Sequence, residues 1–280
     1  MKFTILGSKG FIGSNLVNYL KKNEFECSVI DINDEKIFSE KLGHVIYAIG
    51  MTSDFRNNTF NTIKSHVCIL NELLNTVNFD SFLYLSSARI YYGHKNTHEG
   101  NSININPIDP DKLYNISKIM GESICLSSNK DNVRVVRLSN VIGKDFSSNN
   151  FLFSLIKDAI KNNEINLNTS LESEKDYINI KDVVKILPEI SINGKDKLYN
   201  IASGKNIKTK KIVEIINKQF NNQIKINYTT KKIIFPIISI KKIMDEFKFE
   251  PTSVLDMLPN LINEFNTFLK KRVKIQFKNN

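Results

Sequence analysis

A glycine-rich stretch near the start of the chain limits most strongly what this sequence can fold into. It runs from Gly7 to Gly13, follows the apolar segment Lys2 to Leu6 and precedes a segment of helical periodicity from Phe11 to Lys22. A strand, a loop of closely spaced glycines and a helix place free backbone N–H groups where a pyrophosphate can bind, at the positive end of the helix dipole. The stretch therefore predicts a strand–turn–helix unit that binds a phosphate-bearing ligand.

The spacing of the glycines Gly7, Gly10 and Gly13 is GxxGxxG and not the GxGxxG of the simplest dinucleotide-binding fingerprint. In this order they suit the tight turn, the close approach of the phosphates and the close packing of the helix on the strand. Asp31 ends the next apolar run, Glu26 to Asp31, where a carboxylate suits the ribose of a dinucleotide. These features predict dinucleotide binding. The alternative is a glycine-rich turn that only joins two packed elements.

The composition is that of a globular protein with a full core. The 280 residues are 41% hydrophobic, which suits one large domain, or a large domain with a smaller appendage. Apolar runs such as Ile233 to Ile238 fall far short of the roughly 20 residues that cross a bilayer. Met1 and Lys2 lead directly into the first strand without a signal-peptide pattern. We therefore expect no membrane segment.

The cysteines and the net charge bear on the compartment and on the partners. Three widely spaced cysteines predict neither a disulfide framework nor a metal site, and they favour the cytoplasm. The net charge of +10 comes from scattered lysines, without the basic helices and interleaved aromatic residues typical of nucleic-acid binding. We expect a phosphate-bearing small molecule, and no nucleic acid, as the anionic partner.

Apolar segments alternate with amphipathic segments through the first half of the chain. Beyond the first two strands, the predicted strands are His44 to Gly50, Asp80 to Ser87 and Val133 to Leu138, and the predicted helices are Thr59 to Val77 and Lys112 to Ser128. Such alternation predicts an α/β fold of the Rossmann type, with a doubly wound parallel sheet.

The alternation becomes less regular near residue 145. We expect residues 1–145 to form a dinucleotide-binding Rossmann domain, and residues 146–280 to form mainly a small C-terminal α/β substrate-binding part, with some segments returning to the main sheet. The expected helices are Asn149 to Asn162, Lys181 to Ser191, Thr209 to Phe220 and Ser253 to Lys270, and the expected strands are Lys175 to Ile180 and Lys197 to Ala202. The polar tail from Lys270 to Asn280 is expected to fray.

Reactive side chains occur near the predicted carboxyl ends of these strands. Tyr114 and Lys118 are four residues apart, so a helix presents the phenol and the ammonium on one face. The strand that ends at Ser87 delivers a hydroxyl to the same crevice. A tyrosine titrates at about 10 in water, and an adjacent ammonium lowers that pKa so that the phenol can take a proton from a sugar hydroxyl. A surface pair on a helix is the alternative for this spacing alone.

Several motifs, in this order, resemble the extended short-chain dehydrogenase/reductase family, and more narrowly its NAD-dependent epimerase/dehydratase branch, which acts on nucleotide sugars. The resemblance runs over nearly the whole chain. The matching segments are Gly7 to Ser14 (TGxxGFIGS), Leu85 to Tyr91 (SSxxVYG), Tyr114 to Lys118 (YxxSK), Arg137 to Gly143 (RxxNVYG), Lys175 to Val183 (RDFVHVxDV) and Tyr199 to Gly204 (YNxGSG).

The resemblance implies a role for each matching residue. Ser87, Tyr114 and Lys118 are implied to form a catalytic triad: Ser87 hydrogen-bonds the reacting oxygen, Tyr114 moves its proton, and Lys118 holds the nicotinamide ribose and lowers the pKa of the phenol. Asn140 and Lys175 are implied to contact the substrate phosphates. The implied cofactor-binding residues are Gly7, Gly10, Phe11, Ile12, Gly13, Asp31, Ala48, Ile49 and Lys118. The alternatives are a strand-end cap for Ser87 and a turn residue for Asn140.

Some positions depart from the family pattern. The segment between Asp31 and His44 is too short for a complete strand and helix, so it lacks the peripheral strand and the aspartate that usually bracket adenine. His66 stands where the family usually has asparagine, either as a packing residue or as a cofactor neighbour. Lys175 replaces an arginine, which keeps the charge but not the bidentate fork.

The resemblance implies an enzyme that moves hydride at a ring carbon of a nucleotide-linked sugar, which we expect to be C4. A 4-epimerase returns the hydride to the other face, whereas a dehydrogenase or ketoreductase exchanges its cofactor at each turnover, and both remain open. Related 4,6-dehydratases carry an Asp-Glu pair after the active-site hydroxyl, whereas Ala88 and Arg89 follow Ser87 here, so dehydration is not expected. The alternative from another class is a non-catalytic NAD(P) sensor, which has no use for an activated phenol.

The remaining expectations concern cofactor, assembly and pathway. The charge of Asp31 repels a 2′-phosphate, which favours NAD over NADP. The resemblance implies a role in polysaccharide biosynthesis and a homodimer formed by the helices Thr59 to Val77 and Lys112 to Ser128. The apolar residues of these helices are Val67, Leu70, Leu73, Leu74, Ile116, Ile119, Met120 and Leu126. The alternative is that long helices in an isoleucine-rich protein carry surplus apolar residues.

Overall fold

The computed structural model describes residues 1–51, 55–145, 151–221 and 223–276, with side chains described as far as residue 269. The strands are β1 (Lys2–Leu6), β2 (Glu26–Ser28), β3 (His44–Tyr47), β4 (Ser81–Ser87), β5 (Val133–Leu138), β6 (Asn140–Ile142), β7 (Glu164–Asn166), β8 (Glu174–Asn179), β9 (Leu198–Ile201), β10 (Asn206–Lys208) and β11 (Lys225–Asn227). The α-helices are α1 (Phe11–Lys22), α2 (Lys36–Ser39), α3 (Thr59–Ile63), α4 (Ile69–Thr76), α5 (Leu113–Leu126), α6 (Phe151–Asn162), α7 (Ile180–Asn193), α8 (Thr209–Gln219), α9 (Lys241–Phe247) and α10 (Val254–Gln276).

The main sheet has six strands in the order β2-β1-β3-β4-β5-β9, and every pairing in it is parallel. The chain moves from β1 outward to β2 and then crosses to β3 on the other side of β1. Open parallel sheets bind ligands outside the carboxyl ends of the strands, at the point where the strand order reverses. The predicted α/β fold of the Rossmann type is confirmed, and its switch point lies between β1 and β3.

The edge of the main sheet beside β2 is shorter than the sequence predicts. The strand expected over Glu26 to Asp31 ends at Ser28. The carboxylate of Asp31 accepts hydrogen bonds from the backbone and side-chain nitrogens of Asn33 at 3.0 and 2.9 Å, which forms a turn in place of further strand. Before β3 the chain then forms only the single turn of α2 and an isolated bridge through Lys41.

Helices cover both faces of the main sheet. On one face, α1 and α7 bury Leu16 and Val183 in a cluster with side chains of β1, β4 and β5. On the other face, α4 and α5 bury Leu70 and Cys125 against the same strands. Because the sheet is held between two helical layers, the loops at the carboxyl ends of its strands have a rigid base.

The predicted helix over Thr59 to Val77 contains a π turn, Lys64–Cys68, between α3 and α4. After this turn Leu70, Leu73 and Leu74 face the sheet and are at most 2% exposed. A side chain that is buried within its own chain cannot form an interface with a second copy. Leu70, one of the apolar residues on the helices expected to form the dimer, is therefore not available to a dimer interface.

The C-terminal half forms two smaller sheets, of order β10-β8-β6 and β11-β7, and β9 returns to the main sheet beside β5. Its helices α6, α8 and α10 share a core that includes Phe153, Ile216 and Phe265. Helix α10 continues to Gln276, six residues beyond the helix end expected at Lys270, and the expected fraying of the tail stays a prediction.

The predicted start of a helix at Asn149 lies outside the described residues, and the division at residue 145 stays a prediction. Within the described ranges, no helix combines the length and the apolar character that crossing a bilayer requires.

Candidate active site

A cleft of about 500 Å³ opens where the ends of β1, β3, β4 and β5 meet residues of the C-terminal half. The predicted site residues that line it are Gly10, Phe11, Ile12, Ala48, Ile49, Ser87, Tyr114, Lys118, Asn140 and Lys175. Three predicted cofactor-binding residues, Gly7, Gly13 and Asp31, do not line it. The fold thus brings the predicted catalytic and substrate-binding residues, from distant parts of the chain, to one place.

The turn after β1 depends on two glycines for packing. Gly7 has a φ of +88°, and a Cβ on it would lie 2.7 Å from the carbonyl carbon of Ala48. A Cβ on Gly13 would lie 2.2 Å from the carbonyl oxygen of Gly7. Real Cβ contacts are not this short, so both positions require glycine. These residues hold α1 close to the end of β1, which explains why they lie behind the cleft wall.

Helix α1 presents its N-terminus to the cleft through Gly10, Phe11 and Ile12. The first N–H groups of a helix have no acceptor within the helix, and here the N-cap Gly10 supplies no side-chain acceptor and the first turn has no acidic residue. The hydroxyl of Ser139, a buried atom without a partner among the described residues, lines the same cleft. Free donors at the positive end of a helix, with an unsatisfied hydroxyl nearby, fit the diphosphate and polar groups of NAD.

Asp31 lies beyond this cleft and is exposed. Its hydrogen bonds from Asn33, and more weakly the charge of Lys9, hold its pKa below the usual value. The carboxylate is therefore ionised and open to solvent near the end of β2. The described segment that follows has no further strand to enclose an adenine ring, as the short spacing to His44 predicts.

Ser87 and Tyr114 form the centre of the site. Ser87 ends β4 and caps the 3₁₀ turn Ala88–Tyr91, where its Oγ accepts the backbone N–H of Arg89 at 3.2 Å. Tyr114, at the start of α5, is 6% exposed and lines the cleft together with Ser87, whose hydroxyl lowers the pKa of the phenol. Ser87 thus caps a turn and acts on the phenol at the same time, so the two interpretations of Ser87 are compatible.

The pKa of Tyr114 reflects competing influences. Burial raises this pKa above its usual value, whereas the hydroxyl of Ser87 and the charge of Arg89 act in the opposite direction. The guanidinium carbon of Arg89 lies 5.9 Å from the centroid of the Tyr114 ring. From the sequence we expected Lys118 to lower the pKa, and Arg89 entered only as an argument against dehydration. In the structure Arg89 supplies the cation that favours the phenolate.

Lys118 lies one turn after Tyr114 and is 4% exposed. Its Nζ donates to the backbone oxygen of Leu85 at 2.8 Å. Burial lowers the pKa of Lys118 to about 7, and the charge of Glu122 opposes this shift. An ammonium has three donors, and within the described part of the chain only Leu85 accepts one of them. The remaining donors suit the hydroxyls of a cofactor ribose.

His66 is fully buried in the π turn and does not line the cleft. Its Nε2 accepts the backbone N–H of Met51 at 3.2 Å, so in the neutral ring Nδ1 carries the proton and donates to Ser117 Oγ at 2.9 Å. Ser117 in turn donates to the backbone oxygen of Tyr114 at 2.9 Å. Burial and the charge of Lys118 lower the pKa of His66 to about 3, which keeps the ring neutral. His66 is therefore placed as a packing residue. Through Ser117 it holds the first turn of α5.

Asn140 and Lys175 line the wall that the C-terminal half contributes. Asn140 begins β6, and its Nδ2 donates to the backbone oxygen of Asp176 at 2.8 Å. The Nζ of Lys175 lies 5.3 Å from the ring centroid of Phe151 and 5.6 Å from that of Phe235. Burial, together with the charge of Arg89, lowers the pKa of Lys175. This wall thus offers a desolvated cation between aromatic rings.

Among the lining residues that we did not predict as site residues are Arg89, Ser139 and Phe235. Arg89 and Ser139 stand at variable positions of the motifs quoted above. Their closeness in sequence to Ser87 and Asn140 was the signal that could have identified them. Phe235 lies in an irregular segment without a motif, and no local pattern marks it.

Comparisons with known proteins agree with this geometry. Residues 35–202, more than half of the chain, match the model of the NAD dependent epimerase/dehydratase family. The chain is 27% identical over 207 residues to the dTDP-4-dehydro-6-deoxyglucose reductase of Escherichia coli, a match that covers 69% of this chain and 63% of that protein. This match therefore spans less than two thirds of the length of the reductase.

A second relative is a putative UDP-glucose 4-epimerase of Methanocaldococcus jannaschii, 24% identical over 254 residues, with 77% of this chain and 81% of that protein covered. Among solved structures, MoeE5 in complex with UDP-glucose and NAD shares the fold with a TM-score of 0.81 and 16% identity, over 96% of this chain and 100% of that chain. From the parallel sheet, the residues that meet in the cleft and the family match, we conclude that the chain belongs to the NAD-dependent epimerase/dehydratase family, enzymes of the extended short-chain dehydrogenase/reductase type that use NAD.

Proposed function

We propose that the protein moves hydride at C4 of a nucleotide-linked sugar, as a 4-epimerase or as a 4-dehydrogenase/ketoreductase. The observation that carries this proposal is that Ser87, Tyr114 and Lys118 line one cleft together with the N-terminus of α1. When bound, NAD supplies the hydride acceptor and donor. The residues of the chain then need only hold the sugar and move one proton.

Tyr114 takes the proton of the C4 hydroxyl during oxidation and returns it during reduction. Ser87 donates to the C4 oxygen and holds it beside the phenol. Arg89 stabilises the phenolate, because its charge lowers the pKa of Tyr114. The phenol is buried, so the proton moves between two groups that are screened from water.

The remaining predicted site residues bind and orient. Lys118 holds ribose hydroxyls with the donors that Leu85 leaves free, and the N-terminus of α1 holds the dinucleotide phosphates. Asn140 and Lys175 hold the diphosphate of the substrate, where the partly desolvated ammonium has no acidic partner within the described residues. Both relatives named above act, by their names, on nucleotide-linked sugars at C4, which supports the same substrate class for this chain.

Elimination of water and cofactor sensing are less well supported. Ala88 and Arg89 follow Ser87, so the acidic pair that a dehydratase of this family uses is replaced by a methyl group and a cation. A sensor has no use for a buried tyrosine that lines the cleft together with Ser87 and the cation of Arg89. The cytoplasmic location and the link to polysaccharide biosynthesis stay predictions.

We further propose that the protein forms a homodimer through α3 and α5, which pack against each other. Phe60, Ile63 and Met120 on these helices are 87%, 39% and 51% exposed, although all three are large and apolar. A second copy would cover them by an isologous contact. This surface replaces the buried leucines of α4 in the interface that we expected from the sequence.

The proposal is tested by incubating the purified protein with a panel of nucleotide sugars and with each cofactor. Absorbance of the reduced nicotinamide and chromatography of the sugars are followed together. A dehydrogenase or ketoreductase changes the absorbance in proportion to product, whereas a 4-epimerase forms the C4 diastereomer with no net change. Turnover of no nucleotide sugar by either readout would contradict the proposal.

Tyr114→Phe provides the matched test of mechanism, because it removes the proton-transfer group and keeps the ring. Turnover should fall by roughly the 10²–10⁴-fold typical of general acid–base groups, with little change in cofactor affinity. Tyr228→Phe, at a tyrosine that is 58% exposed, should retain wild-type turnover.

A further inference from the structure

Arg89 places a cation at the end of the cleft where Ser87 and Tyr114 lie. Its guanidinium carbon lies 5.4 Å from the ring centroid of Phe55 and 5.9 Å from that of Tyr114. Its backbone N–H is fixed on Ser87 by the 3₁₀ turn. The side chain lines the cleft and is only partly exposed. A cation is therefore held next to the hydroxyl and the phenol that handle the reacting oxygen.

No carboxylate of the described residues forms an ion pair with Arg89. Asp111, the acid whose charge acts on it, is bound by Arg56 at 2.5 Å. Of the two carboxylates that line the cleft, Asp176 accepts the backbone N–H groups of Ser203 and Lys205, and neither Asp176 nor Asp145 pairs with Arg89 in the described contacts. The guanidinium has thus no charged partner of its own within the described chain.

A second cation in the cleft, Lys175, adds to the excess of positive charge there. The charge of Arg89 lowers the pKa of Lys175, and burial lowers the pKa of both groups. Holding cations in a partly desolvated site without counter-charges is costly. An anionic ligand offsets that cost, and a nucleotide-linked sugar supplies one anion, its diphosphate, for Lys175.

The positions of the groups on the sugar ring give the two cations different binding partners. In a pyranose the diphosphate is on C1, across the ring from C4, so a residue beside the C4 oxygen is far from the phosphates. The carbons next to C4 are C3 and C5, and C5 carries C6. Arg89, which stands beside the phenol that takes the C4 proton, is therefore in a position to meet the groups on C3 and C5. Of these, only C6 can be a carboxylate, the anion that would offset the unpaired guanidinium.

We propose that Arg89 binds a carboxylate at C6, so that the substrate is a nucleotide-linked hexuronic acid. This inference rests on the proposed function, because it places C4 at Tyr114. The planar guanidinium matches a carboxylate with two parallel hydrogen bonds, and such charge-assisted pairs are stronger than those of a neutral hydroxymethyl group. Arg89 is thus a specificity-determining residue in addition to its effect on the phenol.

The test compares two ligands that differ only at C6, UDP-glucuronic acid and UDP-glucose. Their dissociation constants for the NAD-loaded protein are measured by calorimetry, and each sample is then analysed for sugar products. Because the nucleotide is the same, any preference for the base cancels in the ratio. We expect UDP-glucuronic acid to bind about 10- to 100-fold more tightly, the ratio that corresponds to a hydrogen bond between charged groups.

Arg89→Met should abolish the preference for UDP-glucuronic acid by weakening the binding of that ligand alone. Arg89→Lys should retain part of the preference. Lys175→Met is the matched control: it should weaken both ligands by a similar factor and leave the ratio unchanged. Circular dichroism checks that each variant is folded. If Arg89→Met does not fold, the test rests on the binding ratio of Arg89→Lys.

The inference is overturned if UDP-glucose binds as tightly as UDP-glucuronic acid, if UDP-glucuronic acid does not bind, or if the preference survives in Arg89→Met. Failure of the proposed function has a different signature. In that case the binding ratio depends on Arg89, but no nucleotide sugar is converted to product with either cofactor.

Discussion

The guanidinium carbon of Arg89 lies 5.9 Å from the centroid of the Tyr114 ring, and its charge lowers the pKa of that phenol. The two residues belong to different elements, the 3₁₀ turn after β4 and the start of α5. Lys118, which shares a helix face with Tyr114, donates instead to Leu85. The electrostatic setting of the phenol is thus made by a contact between elements.

The pH dependence of turnover should report this contact. Arg89→Met removes a charge that favours the phenolate, so the pKa of Tyr114 rises and the alkaline form needed for oxidation appears at higher pH. We expect the alkaline limb of the kcat profile to move to higher pH. Lys175→Met should leave the profile in place. An unshifted profile in Arg89→Met would show that the guanidinium does not act on the phenol.

Lys118 should make stability depend on pH. Its pKa is about 7 in the folded protein, against about 10.4 in an unfolded chain. Between these values the unfolded chain binds more protons, so the free energy of unfolding rises with pH. Urea unfolding of the cofactor-free protein should therefore show a gain of about 1–2 kcal/mol from about pH 7.5 to about pH 9 that is absent in Lys118→Met. Parallel curves for the two proteins would contradict the shift.

A buried ion pair beneath the site should be important for stability. Glu122 and Arg137 are 4% and 6% exposed and lie 2.6 Å apart, and Ser86 donates to the same carboxylate at 2.5 Å. Glu122→Gln leaves the guanidinium buried without its counter-charge, which should cost about 3–5 kcal/mol of unfolding free energy in urea. Asp245→Asn, which breaks the exposed pair with Lys241, should cost about 1 kcal/mol or less. Equal costs for the two variants would show that burial does not matter here.

Cofactor choice should depend on Asp31. This exposed carboxylate is ionised and faces the charge of Lys9, so it should accept the ribose hydroxyls of NAD and repel the 2′-phosphate of NADP. Asp31→Ala leaves Lys9 unopposed and should narrow the ratio of the NAD and NADP affinities by about tenfold in calorimetry. Asp34→Ala, in the same turn, is the control. Equal affinity of the wild type for both cofactors would remove this role.

Assembly should depend on the exposed apolar surface of α3 and α5. Met120→Lys places a charge on that surface and should convert a dimer to a monomer in light scattering at micromolar concentration. Met244→Lys, at an exposed methionine of α9, should not change the mass. Leu70→Lys is unsuitable, because Leu70 is fully buried and its substitution disturbs the core. A monomeric wild type would refute the dimer.

Local pattern predicted the order of strands and helices in the first half of the chain, and together with the family resemblance it selected Ser87, Tyr114 and Lys118 as candidate site residues. Hydrophobic periodicity, glycine spacing and the four-residue repeat of a helix are properties of neighbouring residues, so they are visible in the chain. Strand and helix ends were displaced where side chains compete for the backbone, as Asp31 and Asn33 do after β2.

Only the tertiary structure decided which charges meet. Arg56 pairs with Asp111 across 55 positions, Arg89 reaches Tyr114 from another element, and neither relation has a local signal. The same holds for Leu70, whose helix face turns toward the sheet after a π turn that its periodicity does not mark. The physical reason is that pKa values and burial depend on distances between segments, which the packing of the sheet and its helices sets, whereas secondary structure depends mainly on neighbours along the chain.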